Sequence, residues 1–97
     1  MKVIRSLPEA DQEYDDALAA SVEPDAFRQE VNDALNAIAR GIIVHRTIGR
    51  SGNIRECMLS RLPYSIVYRD EPDTIRIVAF PHKKRRRGYW KSRVKKS

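Results

Sequence analysis

The apolar residues of this chain change period at Gly41. Upstream the spacing is helical: Leu7, Ala10, Tyr14, Ala17 and Leu18 share one stripe, and Phe27, Val31, Ala34, Leu35 and Ile38 share another. Downstream it alternates, in "IIVHRTI", "IRECMLSRL", "PYSIVYRD" and "TIRIVAF", which is the period of strands. A chain with this switch has two helices to lay on one face of a sheet, so it predicts a two-layer α+β domain.

Local signals set the expected boundaries. "MKVIR" is short and β-prone, and an N-terminal strand is expected there. Ser6 and Glu9 have the spacing of a capping box, Pro8 suits a first helical turn, and Asp11, Glu13, Asp15 and Asp16 are expected to face water. Pro24 is placed to open the second helix, and Arg40-Gly41 to end it. The loops "GRSGN" and "DEPD" separate the later strands. The expected order is β-α-α-β-β-β, an N-terminal strand, a helical hairpin and a three-stranded antiparallel meander, with residues 1–93 as a single domain and 94–97 as a frayed basic end.

At 97 residues and 41% hydrophobic content there is enough apolar side chain for one modest core. Cys57 is the only cysteine, which excludes an internal disulfide, and in an alternating strand it reads as a small buried residue rather than a nucleophile. His45, His82 and the carboxylates have no recognisable ligand spacing, so neither a metal nor a cofactor is expected. The N-terminus lacks the apolar core of a signal peptide, and no run approaches the roughly 18 apolar residues that span a membrane. No membrane contact and a cytoplasmic location are therefore expected.

The net charge of +6 conceals an asymmetry. The first 81 residues hold ten basic and thirteen acidic side chains, a net −3, whereas "HKKRRRGYWKSRVKKS" supplies +9. Five consecutive cations, Lys83 to Arg87, repel one another, and keeping them on a folded domain argues for an anionic partner: ribosomal RNA, DNA in a protein complex, or an acidic protein segment. Arginine at positions 85–87 suits bidentate contact with phosphate or carboxylate. Tyr89 and Trp90 admit two readings, rings packed against the sheet that anchor the tail, or exposed anchors for a partner.

The element order, together with "LPYSIVYR", "IRIVAFPH" and the ending "RRRGYWKSR", resembles the RelE/ParE superfamily of type II toxin-antitoxin toxins, and within it the ParE or plasmid-stabilisation branch. The resemblance covers roughly Val3 to Arg93. The family often has Phe-Pro-Tyr where this chain has Leu62-Pro63-Tyr64, and proline where it has Arg87. It implies a toxin held inactive by a cognate antitoxin in a hetero-oligomer. It also implies two competing mechanisms: ParE-like members poison DNA gyrase by binding it, and RelE-like members cleave mRNA on the ribosome.

On the first mechanism, Lys84, Arg85, Arg86, Arg87, Tyr89 and Trp90 are the expected target contacts, with no catalytic set. On the second, a metal-independent endoribonuclease, Arg61, His82, Arg85 and Tyr89 would bind phosphate and move protons, with Lys83 nearby. His82 alone also reads as a cap on the last strand. A plain nucleic-acid-binding domain of the same fold, without toxicity, is a third possibility. Edge residues of the helical stripes, Tyr14, Leu18, Phe27 and Val31, are expected to serve the core and to line a groove for the antitoxin.

Overall fold

Pro8 and Pro24 open helices, and a strand precedes the first of them. The computed structural model describes residues 1–43, 45–48 and 53–95. Its elements are β1 (Val3–Ser6), α1 (Pro8–Ala19), α2 (Pro24–Arg40), β2 (Ile54–Met58), β3 (Ser65–Asp70), β4 (Thr74–Ala79) and α3 (Lys91–Lys95). The strands form one mixed sheet in the order β1-β4-β3-β2. β2, β3 and β4 are the expected antiparallel meander, and β1 adds to the outside of β4 in parallel, Val3 beside Thr74. No helix among the described residues is long and apolar enough to cross a membrane.

The predicted capping box does not form. Ser6 ends β1 and its hydroxyl bonds the Asp11 carboxylate, while Leu7 takes the cap position with no side-chain cap. The chain passes from strand to helix without a loop, which leaves Ser6 too early to reach the first-turn amides. α2 ends as its sequence predicts, on Gly41 in the left-handed region at φ 71°. A Cβ there would meet no atom within 4 Å, so an alanine suffers only from the backbone conformation. Gly41→Ala is expected to cost about 1 kcal/mol, read as a lower denaturant midpoint at unchanged slope; an unchanged midpoint would contradict a left-handed cap.

Two strand expectations are corrected. "IIVHRTI" is no strand among the described residues: Ile42 and Ile43 are exposed, and only Thr47 bridges Arg55 outside the named strands. Val44 and residues 49–52 of the loop lie outside the described residues. "IRECMLSRL" pairs only from Ile54 to Met58, since the following "LSRLP" turns the chain into β3.

The sheet is covered on both faces. On one, Ala10, Ala17, Phe27, Val31 and Ile38 of the helices pack on Cys57, Ile66, Tyr68, Ile75, Ile77 and Phe80. On the other, Ile54, Val67, Val78, Ala79 and Trp90 form a second cluster, with Leu7, Ile48, Tyr89 and Val94 at its margin. Four consecutive residues of β3, Ser65 to Tyr68, are accordingly buried, as in a strand covered on both sides.

Strict alternation in "TIRIVAF" would put Ala79 on the face of Ile75 and Ile77, but it lies on the other face. Val67 pairs with Ala79 and Tyr68 with Ile77, so β4 carries one extra residue, Val78, and the alternation slips at that bulge. The slip turns Ala79 into the second cluster and redirects the chain that follows.

Candidate target-binding site

The C-terminal segment owes its position to the end of β4. Phe80 is buried in an aromatic cluster, its ring stacked on Tyr64 with centroids 5.0 Å apart and edge-on to Tyr14 at 5.6 Å. His82 packs its ring edge-on against Tyr64, also at 5.0 Å, and bridges that residue across the strands. Ser65 N–H donates to Pro81 O (3.0 Å) and Lys83 N–H to Pro63 O (2.8 Å), which prolongs the ladder by one step. It stops there because the next amides turn inward: Arg85 N–H donates to His82 O (2.9 Å) and Lys84 N–H to His82 Nδ1 (3.1 Å). The cap reading of His82 thus matches its local bonding, and a neutral ring in this arrangement carries its proton on Nε2.

The tail does not extend the last strand. It doubles back instead across the second face of the sheet, through the turn at His82–Arg85 and a left-handed Gly88 at φ 74°. Three contacts hold it there. Trp90 is buried at 7% exposure among Ile54, Val67, Val78 and Ala79. Arg93 donates to both oxygens of Glu13 on α1 (3.1 and 3.0 Å) and to Val78 O (3.1 Å). Arg69 donates to Val94 O (3.2 Å). Val94 itself packs at the margin of the second cluster, so the expected fraying does not begin there; residues 96 and 97 lie outside the described residues.

Glu13 is the functional neighbour that sequence reasoning missed. It was assigned to the solvated face of α1, yet its carboxylate is only 16% exposed and also accepts the Phe80 amide (3.0 Å). Burial alone would raise its pKa. The Arg93 guanidinium and the Phe80 amide outweigh that and hold the carboxyl below its ordinary value. The signal was in the spacing, since Ala10, Glu13 and Ala17 are at i, i+3 and i+7 on one helical face.

Tyr89 joins the two ends of this arrangement. The Arg85 guanidinium lies 4.0 Å from its ring centroid and that of Arg93 5.1 Å. Its hydroxyl is buried and makes no well-formed hydrogen bond. Burial first, and then the Glu13 charge, push the phenol well above its ordinary range. Such a hydroxyl keeps its proton at neutral pH, so it does not serve as a general base.

Of the residues expected in a nuclease, His82, Arg85 and Tyr89 do converge, around a cavity of about 210 Å³ that Glu13 and Tyr64 also line. Arg61 does not join them. It lies in a separate groove of about 810 Å³ between α2 and β2, its backbone amide donating to Glu30 (2.9 Å). Of the expected target contacts, Lys84, Arg85, Arg86 and Arg87 are exposed, Tyr89 is half-buried and Trp90 belongs to the second core. Trp90 therefore leaves the set of surface contacts, because its ring is what fixes the tail to the sheet.

The expected antitoxin residues divide in the same way. Phe27 and Val31 are 2% and 3% exposed and are core residues closed off by Tyr14, Tyr64 and Phe80; Tyr14 and Leu18 are partly open at the helix margin. Surface apolar groups cluster elsewhere, along the groove between α2 and β2, where Val22, Ile43 and Met58 are 96%, 50% and 77% exposed. Cys57, beneath this groove, is raised in pKa by burial, then by Glu30 and Glu56, and stays a thiol. No group of metal-ligating side chains occurs among the described residues.

A mixed four-stranded sheet with a helical hairpin on one face and a basic, doubled-back tail on the other defines a RelE/ParE-like α+β domain. Sequence comparison gives the family: the profile described as "ParE toxin of type II toxin-antitoxin system, parDE" matches residues 4–87, and the chain belongs to that family. A comparison with curated proteins finds no match. Among solved structures the chain is similar to "Chromosomal ParDE TA system from P. aeruginosa", at 17% identity and a TM-score of 0.63, covering 84% of this chain and 96% of that one. It is also similar to a copper-bound mutant toxin from Helicobacter pylori, at 15% identity and a TM-score of 0.69, covering 84% of this chain and 94% of that one. At these identities the two structures speak for the fold. The family match speaks for a ParE-type toxin, whose natural partner is an antitoxin.

Proposed function

We propose that this ParE-type toxin acts by binding DNA gyrase through the exposed cations of its C-terminal segment, and that a cognate antitoxin neutralises it. The observation that carries this reading is the anchoring of the segment. Trp90, Tyr89 and Arg93 are spent on holding the tail to the sheet and to Glu13, and Lys84, Arg85, Arg86 and Arg87 are left facing water on a fixed scaffold. Cations ordered before binding lose less entropy on binding, which favours a recognition surface over a loose polybasic tail.

The nuclease reading has less support. The converging groups include a histidine ring nitrogen engaged by the Lys84 amide and a phenol held protonated, with Arg61 in a different groove. A general base and an acid of matched pKa are what that chemistry needs. For the antitoxin, the groove between α2 and β2 is the favoured seat, since it gathers the exposed apolar side chains of Val22, Ile43 and Met58.

An alanine series in a gyrase supercoiling assay tests the mode of action. Arg86→Ala and Arg87→Ala are each expected to weaken inhibition by about 5- to 20-fold in concentration, in proportion to lost gyrase affinity, with thermal midpoints unchanged. Abolition of a ribosome-dependent mRNA cleavage by His82→Ala, with ribosome binding intact, would instead identify an enzyme.

A further inference from the structure

A second cavity, of about 300 Å³, opens on the other side of the tail, and the charge around it is one-sided. Six cations line it: Arg46 from the segment before β2, Lys83, Arg85, Arg86 and Arg87 from the tail, and Lys91 from α3. Glu56 is the single carboxylate on its wall among the described residues. The ion pairs among the described residues lie elsewhere, joining Lys2 and Arg55 to Asp70, Arg28 to Asp25, Arg76 to Glu71 and Arg93 to Glu13. The side chains of Arg46, Lys83, Arg86, Arg87 and Lys91 have no ion-pair or hydrogen-bond partner among the described residues.

The pocket is built into the fold. Its floor is Trp90 and Ile48, both packed in the second core. Gly88 forms one corner in a left-handed conformation, and the Lys91 stem folds so closely over it that a Cβ would lie 2.8 Å from Lys91 Cε. Arg85 is fixed over the Tyr89 ring. Arg46 lines the same cavity as the tail cations, so positive charge reaches it from two separate parts of the chain, and nothing in the polybasic run itself predicts that.

We propose that this cavity is a binding site for the phosphodiester backbone of duplex DNA, which deepens the gyrase reading and rests on it: the tail cations would meet gyrase through the DNA that it holds. Duplex DNA carries one negative charge per about 1.7 Å of its axis, dense enough to neutralise several neighbouring cations at once, and guanidinium groups meet phosphate oxygens in pairs. Of the apolar side chains on its wall, Trp90 is buried in the second core and Ile48 is partly buried beside it, so Met58 is the exposed apolar anchor left for a protein partner, against six cations.

The test is fluorescence anisotropy of a labelled duplex of about 20 base pairs with the full chain and no gyrase, between about 50 and 200 mM salt. The site predicts binding at the low end that falls with a log–log salt slope of about −4 to −5, close to one unit per phosphate engaged. Arg46→Glu, an exposed change outside the tail, is expected to weaken binding at least 10-fold and to flatten the slope by about two units. Arg86→Glu should do the same, which guards against a folding defect in either variant.

Undetectable binding at low salt, an Arg46→Glu variant that folds and binds like the parent, or tighter binding of a single-stranded RNA or a polyglutamate of equal length would each overturn the site. Gyrase inhibition measured in parallel separates the two claims. DNA binding without inhibition keeps the site and removes gyrase as the target, and inhibition without DNA binding does the reverse.

Discussion

Trp90→Ala is expected to produce the largest loss of any single substitution in the tail. The ring is 7% exposed and fills the centre of the second core, between Ile54, Val67, Val78 and Ala79. Removing a buried tryptophan costs about 3 to 5 kcal/mol, against a total stability of about 5 to 10 kcal/mol for a domain of this length. The thermal midpoint should fall by roughly 15 °C or more. The functional consequence should exceed the thermodynamic one, because the freed tail no longer presents Arg85 to Arg87 on a fixed surface. Inhibition should therefore be lost even at temperatures where the rest of the domain stays folded by circular dichroism. Trp90→Phe keeps most of the apolar contact and should retain measurable inhibition. A midpoint within about 5 °C of the parent for Trp90→Ala would mean that the ring does not hold the second core.

The second large effect is on stability against pH. The Glu13 carboxyl is depressed in the folded chain, so it contributes stability that is complete above its unfolded value near 4.5 and is lost as pH falls through the folded value. Glu13 and Arg93 are 16% and 15% exposed, joined by two charged hydrogen bonds. Glu13→Gln should cost about 2 kcal/mol at pH 7, since it leaves the guanidinium half-buried without its counter-charge. The difference between parent and variant should begin to shrink as pH falls below the unfolded value near 4.5, and should keep shrinking as pH falls on toward the lowered folded value. Glu71, lowered by its hydrogen bonds to Arg76, acts in the same direction but is common to both proteins and drops out of the difference. The check is a set of denaturant midpoints for the two proteins from pH 7 to pH 3. A difference that stays constant across that range would mean that the carboxylate's charge is not what binds the tail.

How far this could be read in advance differs from element to element. The two helices follow from apolar stripes and prolines that act within a few residues. β2, β3 and β4 follow from alternation, and the family resemblance from "LPYSIVYR", "IRIVAFPH" and the ending. What escaped was set by distance. The capping box at Ser6 failed because β1 runs into α1 with no intervening turn. "IIVHRTI" alternates well enough for a strand, but among the described residues it meets β2 only around the Thr47–Arg55 bridge, too short a contact to make a strand of it. The bulge at Val78 adds one residue and turns Ala79 to the far face, and nothing local marks it.

The same limit governs the site. The basic run was evident, and the alternative that Tyr89 and Trp90 pack on the sheet was already open. That the tail crosses the second face, rather than continuing β4, depends on Glu13 meeting a residue 80 positions away. Arg46 reaches the tail cations through the same long-range folding. Glu13 does lie on the apolar stripe of α1 by spacing, and an acidic residue on a buried stripe is a signal that a partner exists.

The most direct test of the account is the purified chain in a DNA gyrase supercoiling assay, run beside ribosome-dependent cleavage of an mRNA. The account predicts concentration-dependent loss of supercoiling, relieved by the cognate antitoxin, with the mRNA intact. Unimpaired supercoiling together with cut mRNA would contradict it.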